Sequence, residues 1–383
     1  QDGVETIGAE TGNKNGVLTV IRGSAAMSTQ LRAAGLQRGA GATLLVNPGT
    51  PADLGITELY TVVGGSANIA DGLTTGLNGG AGSMLAPWIV NSAANQFVTL
   101  STSSGAANLV NAGFSAASIA GATATDIVDV AANTALGTDA TVFALRVNAS
   151  TNNGGLTGVG RTVDIVGDVG GAGLIFTGTN AVHTVNFRTT RELLLYSAAN
   201  TQQLTGDITA AGLTKFGAGT VNLRTPNPGI TGTVTINQGN LLLDTLGAAG
   251  SQDIVLNAGG LLLQNFHALS TTGLAQGQST LNVFGYRPGS VSVVNDATIS
   301  NNSQVIQQGI TDLFINDRGV NVPPPVVVLN GIRVRGTTTF EGDVIVNQTS
   351  GGTVWSVLEG LVTGSGRLAK FGSGNARLAL TNS

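Results

Sequence analysis

The chain has 383 residues and a net charge of −4, so it lacks the excess of basic residues that marks a nucleic-acid-binding protein. It contains no cysteine, which excludes disulfide bonds and thiolate metal sites. Hydrophobic residues make up 42% and charged residues 10%, a composition that excludes a disordered chain and leaves few charges to solvate surface helices. No apolar run is long enough to predict a transmembrane helix.

Short runs that alternate apolar and polar residues recur along the chain, each ended by Gly, Asn or Asp. A period of two predicts β-strands. Gly accounts for 57 residues, about twice the ~7% of average usage, and supplies the positive φ angles that corners need. In chain order the predicted strands lie at 17–21, 43–46, 141–147, 162–166, 233–236, 253–256, 291–294, 326–329 and 343–346.

One early segment allows two interpretations. Residues 25–38 have a helix-friendly composition, yet they also fit two short strands around Gly35. Asn and Gln residues are frequent near the predicted corners, where stacked amides can form hydrogen-bonded ladders.

One sequence pattern occurs twice. Residues 212–223 return as 366–378, and both copies contain Lys-Phe-Gly-x-Gly. The spacing between the two lysines is 370 − 215 = 155 residues. Repeats favour stacked architectures in which each unit buries its face against the next. Asn-Gly and Asp-Gly pairs are too few to join every strand to its neighbour in a hairpin, which also favours a solenoid over a sandwich.

The repeat resembles the autotransporter-associated β-strand repeat of bacterial exported proteins. The resemblance covers 212–243 well and 364–383 incompletely, while 1–211 and 244–363 resemble the less regular sequence between such repeats. It implies a right-handed parallel β-helix and secretion, and no fixed activity. The structural residues of the motif are Leu213, Lys215, Phe216, Gly217, Gly219, Leu223, Gly239, Leu368, Lys370, Phe371, Gly372, Gly374 and Leu378.

The expected fold class is therefore all-β: an elongated, right-handed parallel β-helix, or β-solenoid. We expect 1–383 to form one continuous solenoid with ~20 residues per winding. The incomplete second copy predicts a segment or subunit of a larger assembly, because a cut solenoid exposes unpaired strand edges. The expected partners are other copies of the chain, or its continuation, at the solenoid ends, with surface glycans as a further class.

Catalytic chemistry finds little support in the sequence. His183 lies in an alternating strand and is far from His267, so an outward-facing or hydrogen-bonded strand position is favoured over a ligand or base. Carboxylate pairs could serve a polysaccharide-degrading enzyme or bind Ca²⁺, but each fits a solvated face or turn better. These pairs are Asp126/Asp129, Asp164/Asp168 and Asp312/Asp317. We predict no catalytic residue, metal or cofactor.

Three functions follow from these features. The leading prediction is a structural fibre, stalk or scaffold at the bacterial cell surface, built by end-to-end stacking. The second is a glycan-binding adhesin or phage-type fibre that uses an exposed aromatic residue such as Trp355 or Tyr286. The third is a polysaccharide-degrading β-helix enzyme, in which Asp164 and Asp168 would be the first residues to test.

Overall fold

The structure is a computed structural model in which all regular secondary structure among the described residues is β-strand. The described residues form two compact units, Gln1–Asn200 and Thr201–Ser383. The described ranges are 4–7, 10–12, 15–24, 27–63, 69–70, 84–101, 107–149, 154–245, 247–250, 253–263, 290–293, 297–301, 308–310, 312–315, 326–334, 336–347, 356–371 and 378–380.

The first unit begins with three windings of three strands each. Each strand pairs in parallel with the strand three positions further along the chain, so every pair joins successive windings. The strands are β1 (Val4–Ile7), β2 (Glu10–Gly12), β3 (Asn15–Val20), β4 (Thr29–Ala33), β5 (Leu36–Arg38), β6 (Thr43–Pro48), β7 (Glu58–Val62), β8 (Ile69–Ala70) and β9 (Ile89–Asn91).

Two antiparallel strands then interrupt the winding. They are β10 (Gln96–Ser101) and β11 (Ala107–Asn111). β10 pairs antiparallel with β9, β11 pairs antiparallel with β10, and β11 pairs antiparallel with β7. The antiparallel strands β10 and β11 therefore link β9 to β7, which are two strands of the third winding. They occupy the place where a fourth winding would otherwise stack.

Parallel winding resumes after this pair. Within the first unit, β12 pairs with β15, β15 with β18, and β18 with β21. On the other faces of the windings, β13 pairs with β16, β14 with β17, and β17 with β20. The strands are β12 (Ile127–Val130), β13 (Thr134–Ala135), β14 (Ala140–Val142), β15 (Ala144–Val147), β16 (Leu156–Thr157), β17 (Thr162–Ile165), β18 (Ala172–Phe176), β19 (Val182–His183), β20 (Asn186–Arg188) and β21 (Glu192–Ser197).

The strands that precede β12 pack against the outer face of the sheet formed by β15, β18 and β21. A Cβ placed on Gly173 would lie 2.6 Å from a ring carbon of Phe97, so the glycine admits the aromatic ring. The Arg38 guanidinium makes a two-point ion pair with Glu192, at 2.8 and 3.0 Å. Outward-facing residues of this sheet, such as Ile175 and Leu194, are consequently buried.

The second unit contains parallel pairs throughout its described strands. Its strands are β22 (Thr201–Leu204), β23 (Ile208–Thr209), β24 (Gly212–Phe216), β25 (Thr220–Leu223), β26 (Val234–Ile236), β27 (Asn240–Leu243), β28 (Ile254–Leu256), β29 (Gly259–Leu263), β30 (Ser290–Val293), β31 (Ala297–Asn301), β32 (Gln308–Ile310), β33 (Asp312–Ile315), β34 (Val326–Asn330), β35 (Ile332–Val334), β36 (Thr338–Phe340), β37 (Val344–Asn347), β38 (Ser356–Leu358), β39 (Val362–Gly364), β40 (Leu368–Phe371) and β41 (Leu378–Leu380).

The core of the second unit consists of columns of aliphatic side chains. Val221, Leu241 and Leu261 lie in register on β25, β27 and β29, and all are fully buried. Successive members of this column are 20 residues apart, as expected for a winding of ~20 residues. Alternate residues of each strand thus stack over identical positions of the next winding and form a continuous apolar interior.

The predicted fold class, an all-β parallel β-helix, is confirmed. The segment at 25–38 forms the two strands β4 and β5 rather than a helix over its described residues. The run predicted at 141–147 is divided into β14 and β15 by a break at Phe143. The continuity of residues 1–383 as one solenoid stays a prediction.

Candidate functional site

The first copy of the repeated motif occupies two strands and the corner between them. β24 leads through Gly217-Ala218-Gly219 into β25. Gly217 has φ of 79°, in the left-handed region that disfavours other residues. Lys215 lies in register with Ile236, which lies in register with Leu256. The lysine therefore occupies a position in a core column, among aliphatic neighbours.

The ammonium of Lys215 closes this corner from inside. Its Nζ donates hydrogen bonds to the carbonyl oxygens of Gly217, at 2.6 Å, of Gly219, and of Gln238 in the next winding, at 2.6 Å. The side chain is fully buried. An ammonium has three N–H donors, so all three are used. Burial lowers the pKa of Lys215 to about 7, while the three carbonyl oxygens favour the protonated form and act against that shift.

Gly239 connects the two halves of the motif. Its φ is 65°, and an added Cβ would lie 2.4 Å from the Lys215 Nζ and 2.5 Å from the Gly217 oxygen. Both the backbone conformation and the available space therefore require glycine. The Lys-Phe-Gly-x-Gly half and the Asn-Gln-Gly-Asn half form one interlocked corner across two windings.

Asn227, in the segment between β25 and β26, also joins neighbouring windings. It is buried, and its Oδ1 accepts a hydrogen bond from the Ile208 N–H at 2.6 Å. Its Nδ2 donates to the carbonyl oxygens of Thr225, at 3.0 Å, and Ala248, at 2.5 Å. The partners at 208 and 248 lie on either side of Asn227 along the chain, so one side chain joins three successive windings.

Further polar side chains stack in register between windings. The buried Asn257 Nδ2 donates to Asn237 Oδ1 at 2.6 Å, an amide ladder of the kind expected near the Asn-rich corners. On the outside, Arg224 donates to Asp244 at 3.0 Å and to Gln203 at 2.9 Å. These bonds also run from winding to winding.

The second copy of the motif repeats the local position but not the burial. Lys370 lies in register with the buried Val346, so it again takes a core-column position. Lys370 is nevertheless exposed, and Phe371 is 59% exposed, whereas Phe216 is fully buried. β40 belongs to the sheet of β37, and β24 to the sheet of β26, so the two copies lie on different faces.

The remaining leucines and glycines of the motif also differ between the two copies. Leu213 and Leu223 are buried, and Leu368 is half-buried. Gly372 and Gly374 lie outside the described residues, and Leu378 begins β41.

His183 has a structural position. It is buried, its Nδ1 accepts a hydrogen bond from the Leu156 N–H at 3.1 Å, and its ring stacks on Phe176 with centroids 4.4 Å apart. Of the two positions expected from the sequence, the hydrogen-bonded one is present and the outward-facing one is wrong, because the ring lies inside the protein. His267 lies outside the described residues.

Of the candidate carboxylate pairs, the two whose side chains are described, Asp126/Asp129 and Asp164/Asp168, do not form shared sites. Asp164 forms an ion pair with Arg188, while Asp168 accepts a hydrogen bond from the Val169 N–H within its own turn. Asp129 pairs with Arg146 at 2.7 Å. The side chains of Asp312 and Asp317 are outside the described part.

Asp126 belongs to a turn rather than to a paired site. The hydroxyl and the backbone N–H of Thr123, together with the Ser115 hydroxyl, lower the pKa of the Asp126 carboxyl. Hydrogen bonds to a carboxylate favour its charged form and here fasten the loop before β12.

The described residues contain no group of at least three His, Asp or Glu side chains arranged to hold a metal ion. They also contain no helix with the length and apolarity needed to cross a membrane. The aromatic residues named for glycan binding, Trp355 and Tyr286, fall outside the described ranges.

Sequence reasoning missed the polar contacts that attach the early strands to the winding sheet. Asn95, with φ of 49°, occupies the turn between β9 and β10. Its Oδ1 accepts from the Tyr196 hydroxyl at 3.0 Å, and its backbone oxygen accepts from Arg146 at 3.3 Å. Burial raises the pKa of Tyr196 to about 12. The only sequence signal was an Asn in a turn, which resembles any other corner.

Comparisons with known proteins add no family assignment. The chain matches no protein-family model, no curated protein and no solved structure.

Proposed function

We propose that this chain is a structural β-solenoid of a bacterial exported or cell-surface protein, of the autotransporter-associated repeat type, which serves as a fibre, stalk or scaffold through end-to-end stacking. Its expected partners are other windings, from further copies or from a longer chain, rather than a small-molecule substrate.

One observation carries the proposal: the polar side chains Lys215 and Asn227 of the first copy of the motif are occupied in joining windings. All three donors of the Lys215 ammonium go to corner carbonyl oxygens, one of them in the next winding. The Asn227 side chain joins windings on both sides. A catalytic motif would instead direct such groups toward open space.

The composition of the core supports the same role. Columns such as Leu223, Leu243 and Leu263 bury aliphatic surface between adjacent windings. Burial of this kind contributes ~25 cal/mol per Å² and accumulates with each added winding. Stability in such an architecture is a sum over neighbouring units, which suits a load-bearing or spacing element.

Electron microscopy of the purified full-length chain tests the proposal. We expect filaments or end-to-end chains whose abundance rises with protein concentration. Particles that stay dispersed at every concentration and in every buffer tested would contradict a stacking role.

A further inference from the structure

The strands that precede β12 form a body that is closed by its own hairpin. We call β1–β11 the early stack and the sheet of β15, β18 and β21 the flank sheet. The hairpin strands β10 and β11 pair with β9 and β7, so they cover the backbone edges of the third winding on two of its faces. Val98 and Leu109 of the hairpin are fully buried and extend the apolar core of the early stack.

Polar side chains fasten the hairpin to the windings of the early stack. The Thr61 hydroxyl donates to Asn108 Oδ1 at 2.5 Å, and the buried Asn91 donates from Nδ2 to Asn111 Oδ1 at 2.8 Å. Thr61 also accepts a hydrogen bond from Gln30 Nε2 at 2.8 Å, so the bonds continue into the second winding. The early stack therefore holds its hairpin by contacts within itself.

The contacts between the early stack and the flank sheet are of another kind. Among the described strands, the two bodies belong to separate sheets, so side chains carry the contact. The Phe97 ring occupies the space beside Gly173, 2.6 Å from where a Cβ would lie. Arg38 forms its two-point ion pair with Glu192, whose side chain is 27% exposed. Two further hydrogen bonds meet at Asn95.

The chain leaves the early stack through an open glycine. Ala112 is anchored to the hairpin, because its backbone N–H donates to the Phe97 oxygen at 2.9 Å. Gly113 follows, with φ of 71° and no atom within 4 Å of an added Cβ. Glycine populates left-handed and right-handed backbone conformations at similar cost, so rotation at this residue meets little resistance.

The next two residues are anchored to the windings on the other side. The Phe114 ring lies 4.1 Å from the guanidinium carbon of Arg146, on β15. Ser115 donates its backbone N–H to the Ile127 oxygen of β12 at 3.0 Å. Gly113 thus separates the two sets of anchors, in the position of a hinge residue that absorbs the φ and ψ changes of a rigid-body motion.

We propose that the early stack is a hinged cover for the flank sheet. It turns about Gly113 as one closed body, and the packing of Phe97 on Gly173 is the latch that holds it shut. Opening exposes the outer face of the flank sheet at Ile175 and Leu194, which are fully buried in the closed state. The apolar area of that face favours closure. The inference concerns the first unit alone and does not depend on the proposed stacking role.

Single-molecule fluorescence energy transfer on the full-length chain tests the motion. The chain has no cysteine, so dyes can be attached at Met27→Cys in the early stack and at Val169→Cys, beside the flank sheet. Both side chains are exposed. We expect one narrow distance population in the labelled chain. Gly173→Val places a branched side chain in the space of the Phe97 ring and should raise the ratio of open to closed molecules about tenfold or more.

Arg38→Ala is a milder test of the same latch, because it adds no volume to the contact. It removes the ion pair with Glu192 and should raise the ratio of open to closed molecules by about threefold.

Gly113→Val and Gly121→Val form a matched pair that tests the hinge. Both glycines have positive φ, 71° and 81°, and no atom within 4 Å of an added Cβ, so the two substitutions carry similar local strain. Gly121 lies beyond the anchor at Ser115. Gly113→Val should raise the ratio of open to closed molecules about tenfold, because valine disfavours the backbone conformation of the closed state. Gly121→Val should leave the ratio unchanged.

Two further signals should accompany opening. The dye ANS, which fluoresces on apolar surface, should bind in proportion to the open fraction, since Ile175 and Leu194 become accessible. Far-ultraviolet circular dichroism should keep its β-sheet signal, because neither body unfolds.

Three results would overturn the inference. A single, unchanged distance in both Gly173→Val and Arg38→Ala would show that the two bodies move as one. Loss of the β-sheet signal on opening would show that the early stack is not closed in itself. An equal response of Gly121→Val and Gly113→Val would place the pivot elsewhere. Filament formation in the microscope bears on none of these measurements, so the two proposals fail separately.

Discussion

Lys215 and Lys370 occupy the same local position in two copies of one motif, and their surroundings differ. Lys215 is fully buried and bonded to three carbonyl oxygens, one from the following winding. Lys370 is exposed. Phe216 and Phe371 show the same contrast, fully buried against 59% exposed. The comparison teaches that the burial of the motif comes from the winding laid over it, not from its own strand.

The largest expected effect is on the aromatic pair. Phe216→Ala removes a fully buried ring and should lower the free energy of unfolding by ~3–5 kcal/mol. Phe371→Ala, its matched control, should change the free energy by less than ~0.5 kcal/mol in the monomer. Urea denaturation measures both, and equal losses would show that the two copies have the same environment.

The next effect concerns the lysines. Lys215→Met keeps the apolar stem but leaves three corner carbonyl oxygens without their donor, which should cost ~2–3 kcal/mol. Lys370→Met should cost less than ~0.5 kcal/mol. Thermal and urea unfolding of the two variants give the comparison. A stable Lys215→Met protein would mean that the ammonium is not needed at the corner.

A smaller effect is expected at the amide that joins three windings. Asn227→Ala removes one acceptor and two donated hydrogen bonds from a buried side chain and should cost ~2 kcal/mol. Asn240→Ala is the control, because its amide makes one long bond of 3.3 Å to Thr220 and should cost under ~1 kcal/mol. Urea denaturation measures the free energy of unfolding of both variants. Asn227→Ala should lose more of it than Asn240→Ala, and the reverse order would contradict the prediction.

The smallest effect is the pH dependence of stability. Burial lowers the pKa of Lys215 to about 7 from its ordinary 10.5, so between these values the unfolded chain binds more protons than the folded one. The free energy of unfolding should therefore rise with pH in this window, by at most ~1.4 kcal/mol per pH unit. Denaturation at about pH 7.5 and about pH 8.5, both within this window, should show this slope in the wild type. Lys215→Met should flatten it, and a wild-type slope of zero would show that the carbonyl oxygens hold the proton.

Much of the fold could be predicted because it depends on local patterns. Alternation marked strands such as β6, β17 and β26, and glycine marked the corners between them. Parallel stacking followed from two observations, namely the internal repeat and the scarcity of Asn-Gly and Asp-Gly hairpin turns along the chain. The reversal at β9 to β11 could not be predicted, because Asn91 to Asn95 carries the same turn residues as a corner that continues the winding.

The candidate site was predictable in composition and not in geometry. The motif identified Lys215 and its glycines, but the position of the lysine in a core column depends on its register with Ile236. The different face taken by β40 could not be predicted either. The face depends on how many residues each intervening winding contains. In the second unit, paired residues are separated by as few as 345 − 326 = 19 positions, between Val326 and Ile345, and by as many as 297 − 259 = 38, between Gly259 and Ala297.

The antiparallel pair of β10 and β11 has a consequence for cooperativity. In a stack of parallel windings, order spreads from each winding to its neighbour, as in a one-dimensional chain of coupled units. A reversed pair joined to both β7 and β9 interrupts that spread. We therefore expect the three early windings to exchange their amide protons as a separate group, with an opening free energy set by their own contacts and by the Arg38–Glu192 clasp.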